Sequence, residues 1–202
     1  MPCEYACFVS YRAQNNDIGK AILKRIHDAL KAEIALRTKL PVYLDQDRLQ
    51  GADFFNEALS AGLCKSACLV AIYTDTYFCT EKTYCAREYR AMEILEAERL
   101  ATLGETVKGL IIPIILRGSL PAFVRSERNY YDFSQYSLAD KRIEKHPKYT
   151  KHIQQIASVI KDRCDLLSAA KLDCAGHQLP GEADIQEWLK QWEPKPPEFP
   201  TP

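Results

Sequence analysis

The sequence predicts an α/β fold, a doubly wound parallel sheet of five strands with helices on both faces. Three observations predict it. Five short apolar runs alternate with amphipathic or polar stretches, the rhythm of strands joined through helices. Two of these runs, Ala67 to Tyr73 and Leu110 to Leu116, are apolar almost throughout, as strands buried on both faces must be. The length of 202 residues, at roughly 150 per domain, allows one such unit with some chain to spare.

Tyr5 to Val9 is the first expected strand. Ile18, Ala21, Ile22, Ile26, Ala29, Leu30 and Ile34 then recur at helical spacing between lysines and arginines, which predicts an amphipathic helix ending before Pro41. Val42 to Leu44 is a brief second strand. The polar loop Asp45 to Ala52 follows, with Gly51 suited to a turn and Asp53 able to cap a helix carrying Phe54, Phe55, Ala58 and Leu59. Ala67 to Tyr73 is the third strand. From Tyr84 to about Ala101 helix formers dominate, and Glu88, Ala91 and Leu95 share one face. Leu110 to Leu116 is the fourth strand, compatible with Pro113 only where no ladder bond is needed. Asn129 to Phe133 is read as a short edge strand and Thr150 to Ala170 as a closing helix.

Beyond Cys174 the character changes. Ala175-Gly176 and Pro180-Gly181 break the chain, Glu182 to Trp192 can form one more helix, and Pro194 to Pro202 holds five prolines in nine residues. The expected division is therefore a domain over 1–175 and a C-terminal helix with a proline-rich tail or linker over 176–202.

Composition narrows the function. Hydrophobic residues make up 47% and charged residues 27%, and 27 basic side chains balance 27 acidic ones, which excludes a disordered or collagen-like chain. Zero net charge argues against a nucleic-acid partner, because phosphate binding usually shows as a basic excess. No apolar run approaches the ~20 residues needed to cross a bilayer, so no membrane span is expected. Met1-Pro2-Cys3-Glu4 lacks the basic and apolar regions of a secretory signal, which predicts a cytoplasmic chain. Its eight cysteines are then expected as thiols. The two Cys-x-x-x-Cys pairs, at 3 and 7 and at 64 and 68, have no histidine at ligand spacing, so no metal site is expected.

In a doubly wound sheet, ligands bind beyond the carboxyl ends of the strands where strand order reverses. The loops that would face this crevice start at Ser10-Tyr11-Arg12 and at Thr74-Asp75. Neither Gly-x-Gly-x-x-Gly after the first strand nor a Gly-Lys-Ser phosphate loop occurs, which excludes nucleotide binding by the usual glycine turn. A phospho-receiver would need acidic residues after strand one, where this chain has Ser10 and Arg12.

Three segments in order are specific. Phe8-Val9-Ser10-Tyr11-Arg12 closes the first strand, Val42-Tyr43-Leu44-Asp45 leads into Arg48-Leu49-Gln50-Gly51, and Tyr84-Cys85-Ala86-Arg87-Glu88 opens the helix after the third strand. Together, over about residues 5 to 170, they resemble the Toll/interleukin-1 receptor (TIR) family, and that resemblance implies a flavodoxin-like fold. Tyr84 stands where the family usually has tryptophan, and the loop Thr76 to Thr83 is somewhat long. Adaptor members often lack the glutamate, so Glu88 points to the branch that cleaves NAD at the nicotinamide ribosyl bond, with NAD as substrate and no cofactor or metal.

The resemblance implies Glu88 as the catalytic carboxylate, able to grip ribose hydroxyls and stabilise an oxocarbenium ion. Otherwise it is a helix-start glutamate favoured by the dipole. Arg12 is either a diphosphate partner or an exposed arginine after a strand. Ser10 and Tyr11 are candidates for nicotinamide and ribose contacts, Asp45 for orienting a pocket residue and Tyr84 for an aromatic wall, with turn chemistry the alternative for the loop residues. Cys85 is read as packing rather than as a nucleophile. Arg48, Leu49, Gln50 and Gly51 form the loop through which such protomers assemble. The resemblance further implies self-association, a bacterial antiphage setting and an effector that senses the product. Two rivals stand beside the enzyme: a non-enzymatic TIR scaffold, and a nucleoside deoxyribosyltransferase-like enzyme.

Overall fold

The structure, a computed structural model, describes residues 3–13, 16–44, 55–104, 108–137, 140, 142–168, 174 and 176–191. Five parallel strands form one sheet in the order β2-β1-β3-β4-β5: β1 (Cys7–Tyr11), β2 (Val42–Leu44), β3 (Leu69–Tyr73), β4 (Ile111–Ile115) and β5 (Tyr131–Asp132). The central β3 and β4 are wholly buried. This is the doubly wound α/β architecture the sequence predicts.

β1 starts two residues later than its apolar run. Tyr5 makes only an isolated bridge to Ser66, and the ladder proper starts opposite Val42. The shift carries Ser10 and Tyr11 into the strand. Pro113 sits in β4 opposite Ala71. Leu116 N–H donates to Tyr73 O on the β3 side at 2.9 Å, so alternation turns the Pro113 position toward β5. Pairing with β5 starts only at Ile114, so Pro113 costs no ladder bond.

α1 (Asp17–Ala35) is capped by Asn16, whose side chain accepts from Gly19 N–H at 2.6 Å. It buries Ile22, Ile26, Leu30 and Ile34 beside α5 (Pro147–Ser168) on one face of the sheet. α5 starts three residues before Thr150, with Pro147 at a first-turn position that proline tolerates. On the other face lie α2 (Phe55–Cys64) and α3 (Tyr84–Leu103). Gly62 of α2 lets the Tyr43 ring of β2 lie against its backbone, where a Cβ would come within 2.5 Å of the ring. The short α4 (Ala122–Glu127) has no counterpart in the sequence reading, being under two turns long.

α6 (Glu182–Lys190) packs against α3, burying Ile185 and Leu189 against Ala86. Trp188 joins an aromatic cluster with Phe78, Tyr89 and Phe123, ring centroids 5.3–6.5 Å apart. A second tie fastens the C-terminal segment and corrects the expectation of eight thiols: Cys64, closing α2, is disulfide-bonded to Cys174. Their Cα atoms, 110 residues apart in sequence, lie 5.8 Å apart, inside the bonding range. Cys3, Cys7, Cys68, Cys85 and Cys164 are buried thiols and Cys79 is half-buried.

A half-buried ion pair and a buried arginine brace α3. Arg128 binds Glu96 at 2.8 Å and donates to Tyr89 Oη at 2.9 Å, while Glu96 accepts from the amides of Leu110 and Ile111 at the start of β4. Arg99, 7% exposed, donates to the carbonyls of Ser66 at 2.8 Å and Cys64 at 2.5 Å. No helix among the described residues is long and apolar enough to cross a membrane.

Candidate active site

The chain leaves β1 for α1 on one face and leaves β3 for α3 on the other, so the crevice between these strands is the switch point where such sheets bind ligands. Ser10 faces this crevice from β1, 1% exposed. Beyond β3, Tyr77 N–H donates to Thr74 O at 2.8 Å, a turn that folds the Tyr77 ring back into the protein, where it is fully buried. The loop then reaches Thr83, whose carbonyl accepts from Arg87 N–H in the first turn of α3. One turn into α3, Glu88 points inward, 5% exposed.

These three side chains form one relay. Ser10 Oγ donates to Glu88 Oε2 at 2.5 Å and lies 2.7 Å from Tyr77 Oη. A serine hydroxyl has one proton, and Ser10 commits it to the carboxylate, so Tyr77 O–H donates to Ser10. The order is Tyr77 to Ser10 to Glu88. Burial, then the charges around it, raises the Tyr77 phenol well above its ordinary value, so it keeps its proton at neutral pH. Burial and next the Glu88 charge likewise push up the Cys85 thiol, with Arg12 opposing them. A neutral, buried thiol suits packing and not nucleophilic attack.

Arg12 donates to Lys82 O at 2.9 Å, bridging the end of β1 to the loop ahead of α3. Tyr84 opens α3 as an exposed residue, with the Arg87 guanidinium 5.4 Å from its ring centroid. Arg87 in turn donates to Pro180 O at 2.7 Å, linking this helix start to the C-terminal segment. Ser10 and Glu88 are thus brought into contact, Arg12 is tied to the loop ahead of α3, and Tyr84 lies one helical turn before Glu88. Tyr11 is turned away from them, because consecutive strand residues point to opposite faces and it lies on the α1 side with Val9. Asp45, Arg48, Leu49, Gln50 and Gly51, the capping Asp53 and the tail 194–202 lie outside the described residues. Tyr77 is the residue that sequence reading missed. Its signal was the short apolar run Tyr77-Phe78-Cys79 inside an otherwise polar loop.

Among the described residues, no three His, Cys, Asp or Glu side chains converge as metal ligands. The arrangement offers one buried carboxylate oriented by a serine hydroxyl. Such a group can accept hydrogen bonds from hydroxyls and stabilise positive charge that develops against it.

Sheet order and the crossing of helices to both faces define a doubly wound α/β domain. The family follows from the sequence match: the chain belongs to the TIR domain family, whose model matches residues 7–146, more than half of its length. No curated protein matches it. Among solved structures it is similar to the TIR domain of the Toll-related receptor TRR-2 from Hydra magnipapillata, at 14% identity over 76% of this chain and 98% of that one, with a TM-score of 0.46. It is also similar to the TIR domains of the activated Roq1 resistosome that directly recognizes the pathogen effector XopQ, at 15% identity over 92% of this chain and 96% of that one, with a TM-score of 0.39.

Proposed function

We propose that this TIR domain cleaves NAD at the nicotinamide ribosyl bond, with Glu88 as the catalytic carboxylate. The observation that carries the reading is the 2.5 Å bond from Ser10 to Glu88 at the switch point. It holds a carboxylate in a defined orientation where a ligand of this fold would lie.

The bond between the ribose anomeric carbon and the nicotinamide nitrogen breaks with its electron pair going to nicotinamide, leaving an oxocarbenium ion. Glu88 accepts hydrogen bonds from the ribose hydroxyls and stabilises that cation. A carboxylate has roughly four acceptor positions, so Ser10 can orient it while ribose binds. Water attacking the anomeric carbon and losing a proton yields ADP-ribose. An adenine nitrogen or ribose hydroxyl of the same molecule yields a cyclic isomer instead. Tyr84 supplies the aromatic wall and Arg12 a partner for the diphosphate.

Activity of this kind depends on assembly, with the segment Arg48 to Gly51 of one protomer approaching the pocket of the next. The proposed setting is cytoplasmic immune signalling of the antiphage type, in which an effector reads the product or NAD loss halts the cell. Chromatography of NAD and of 2′-deoxynucleosides incubated with concentrated protein tests the reading. Nicotinamide is expected from NAD and no free base from the nucleosides. Intact NAD under crowding conditions would instead favour a scaffold, and base release would favour a deoxyribosyltransferase.

A further inference from the structure

A cavity of about 590 Å³ lies on the sheet face opposite Glu88. Strand alternation separates the two: Ser10 turns to Glu88, so Val9 and Tyr11 turn the other way and form the cavity floor with Leu44 and Ile72. The wall is α1, which contributes Lys20, Lys24, His27 and Lys31. Their spacings of four, three and four residues place them on one helix stripe. From Lys20 to Lys31 that stripe runs ~16 Å at 1.5 Å per residue.

The charge of this wall is one-sided. Among the described residues Asp28 is the single acidic residue lining the cavity, and it is already paired with Lys24 at 2.8 Å. Lys20 and Lys31 form no ion pair among the described residues. His27 is 9% exposed, with Nδ1 3.4 Å from Asp28 and a buried Nε2 that has no hydrogen-bond partner among the described residues. The ammonium groups of Lys20, Lys24 and Lys31 supply the countercharge for an anionic ligand.

An apolar floor under a row of cations calls for a ligand with a flat apolar body and several negative charges. The volume falls within the ~300–1,000 Å³ of ordinary small-molecule sites, and the stripe is longer than one phosphate group. We propose that this cavity is a second binding site, separate from the Glu88 crevice, for a nucleoside di- or triphosphate whose phosphates lie along Lys20, Lys24, His27 and Lys31.

The test titrates the full chain with ADP, by calorimetry for affinity and by amide chemical shifts for location. Saturable one-to-one binding is expected, with shifts concentrated in α1 and at Tyr11. The dissociation constant should stay within twofold in Glu88→Gln and weaken at least tenfold in the double variant Lys20→Ala/Lys31→Ala, whose side chains lie on the exposed helix surface. Circular dichroism of the double variant should match the parent. Adenosine and inorganic phosphate should each bind at least tenfold more weakly than ADP. The proposal is overturned by absence of saturable binding, by affinity indifferent to the two lysines, by adenosine or phosphate matching ADP, or by loss of binding in Glu88→Gln with shifts centred on α3. Failure of NAD cleavage alone leaves this site standing, because the readout is binding on the opposite face.

Discussion

Ser10→Ala and Tyr77→Phe should differ sharply in cost, because the relay has a direction. Ser10 donates to a carboxylate and accepts from a buried phenol. Removing its hydroxyl loses a charge-assisted hydrogen bond worth ~1.5–3 kcal/mol and strands the Tyr77 O–H at a further ~1–3 kcal/mol, about 3–5 kcal/mol together. Tyr77→Phe leaves the Ser10 bond to Glu88 in place and loses one neutral bond, ~1 kcal/mol. The double variant no longer contains the stranded phenol, so it should cost ~1–3 kcal/mol less than the sum of the single changes. Urea unfolding of the four proteins at neutral pH gives these differences from the midpoints, provided the slopes agree. Equal costs for the two single variants, or strictly additive costs, would refute the direction assigned to the relay and the orientation of Glu88 that depends on it.

Arg99→Met should destabilise by ~1–3 kcal/mol, since it strands the buried carbonyls of Cys64 and Ser66 while relieving the desolvation of the guanidinium; chemical denaturation measures it. Reduction of Cys64–Cys174, which closes a loop of 110 residues, should lower stability by ~2–5 kcal/mol, read as a drop in melting temperature on adding reductant that the Cys64→Ala/Cys174→Ala protein does not show. Gly118→Ala should cost ~2 kcal/mol or more, because Gly118 holds φ at +85° and a Cβ there would lie 1.7 Å from Asp75 Oδ1; Asp75→Ala should recover only part of the loss of melting temperature. Stability should also fall in alkali. Tyr73 is pushed up to about 12, by burial and then by Asp75, above the ~10 of an unfolded tyrosine. Its contribution is therefore full below pH 10 and lost as pH rises through 12, an interval that ultraviolet titration of the phenolate and unfolding midpoints both resolve.

The architecture was legible because buried parallel strands leave continuous apolar runs and α1 leaves a helical stripe. Glu88, Ala91 and Leu95 were assigned one face by spacing alone, and all three are buried on it. Ser10 and Glu88 were legible as parts of separated segments, but not their bond, which depends on the register of β1 against β3. Tyr77 escaped because a loop turn carries no periodicity, and the run Tyr77-Phe78-Cys79 is too short to match a strand or a helix. The opposite placement of Tyr11 follows from the strand period of two once Ser10 is assigned, so it was available in the sequence before the structure. The Cys64–Cys174 pairing was not, since it arises from where α2 ends and how the C-terminal segment returns along α3. α4 was too short to show a helical stripe.

The C-terminal segment is more than surplus length. Trp188 inserts among Phe78, Tyr89 and Phe123, and Pro180 accepts from Arg87 one residue before Glu88. The helix that bears the proposed catalytic carboxylate is thus packed by the sheet on one side and by α6 on the other, which limits its freedom to shift.

The most direct measurement is the initial rate of nicotinamide release from NAD by the native chain and by Glu88→Gln, at equal high concentration and with matched circular dichroism. Loss of a carboxylate that stabilises a developing cation should remove ~3–4 kcal/mol of transition-state stabilisation, a fall of roughly 10²–10³ in rate. Release of nicotinamide by the native protein and a loss of this size in the variant is the expected result; equal rates in the two proteins would contradict the role assigned to Glu88.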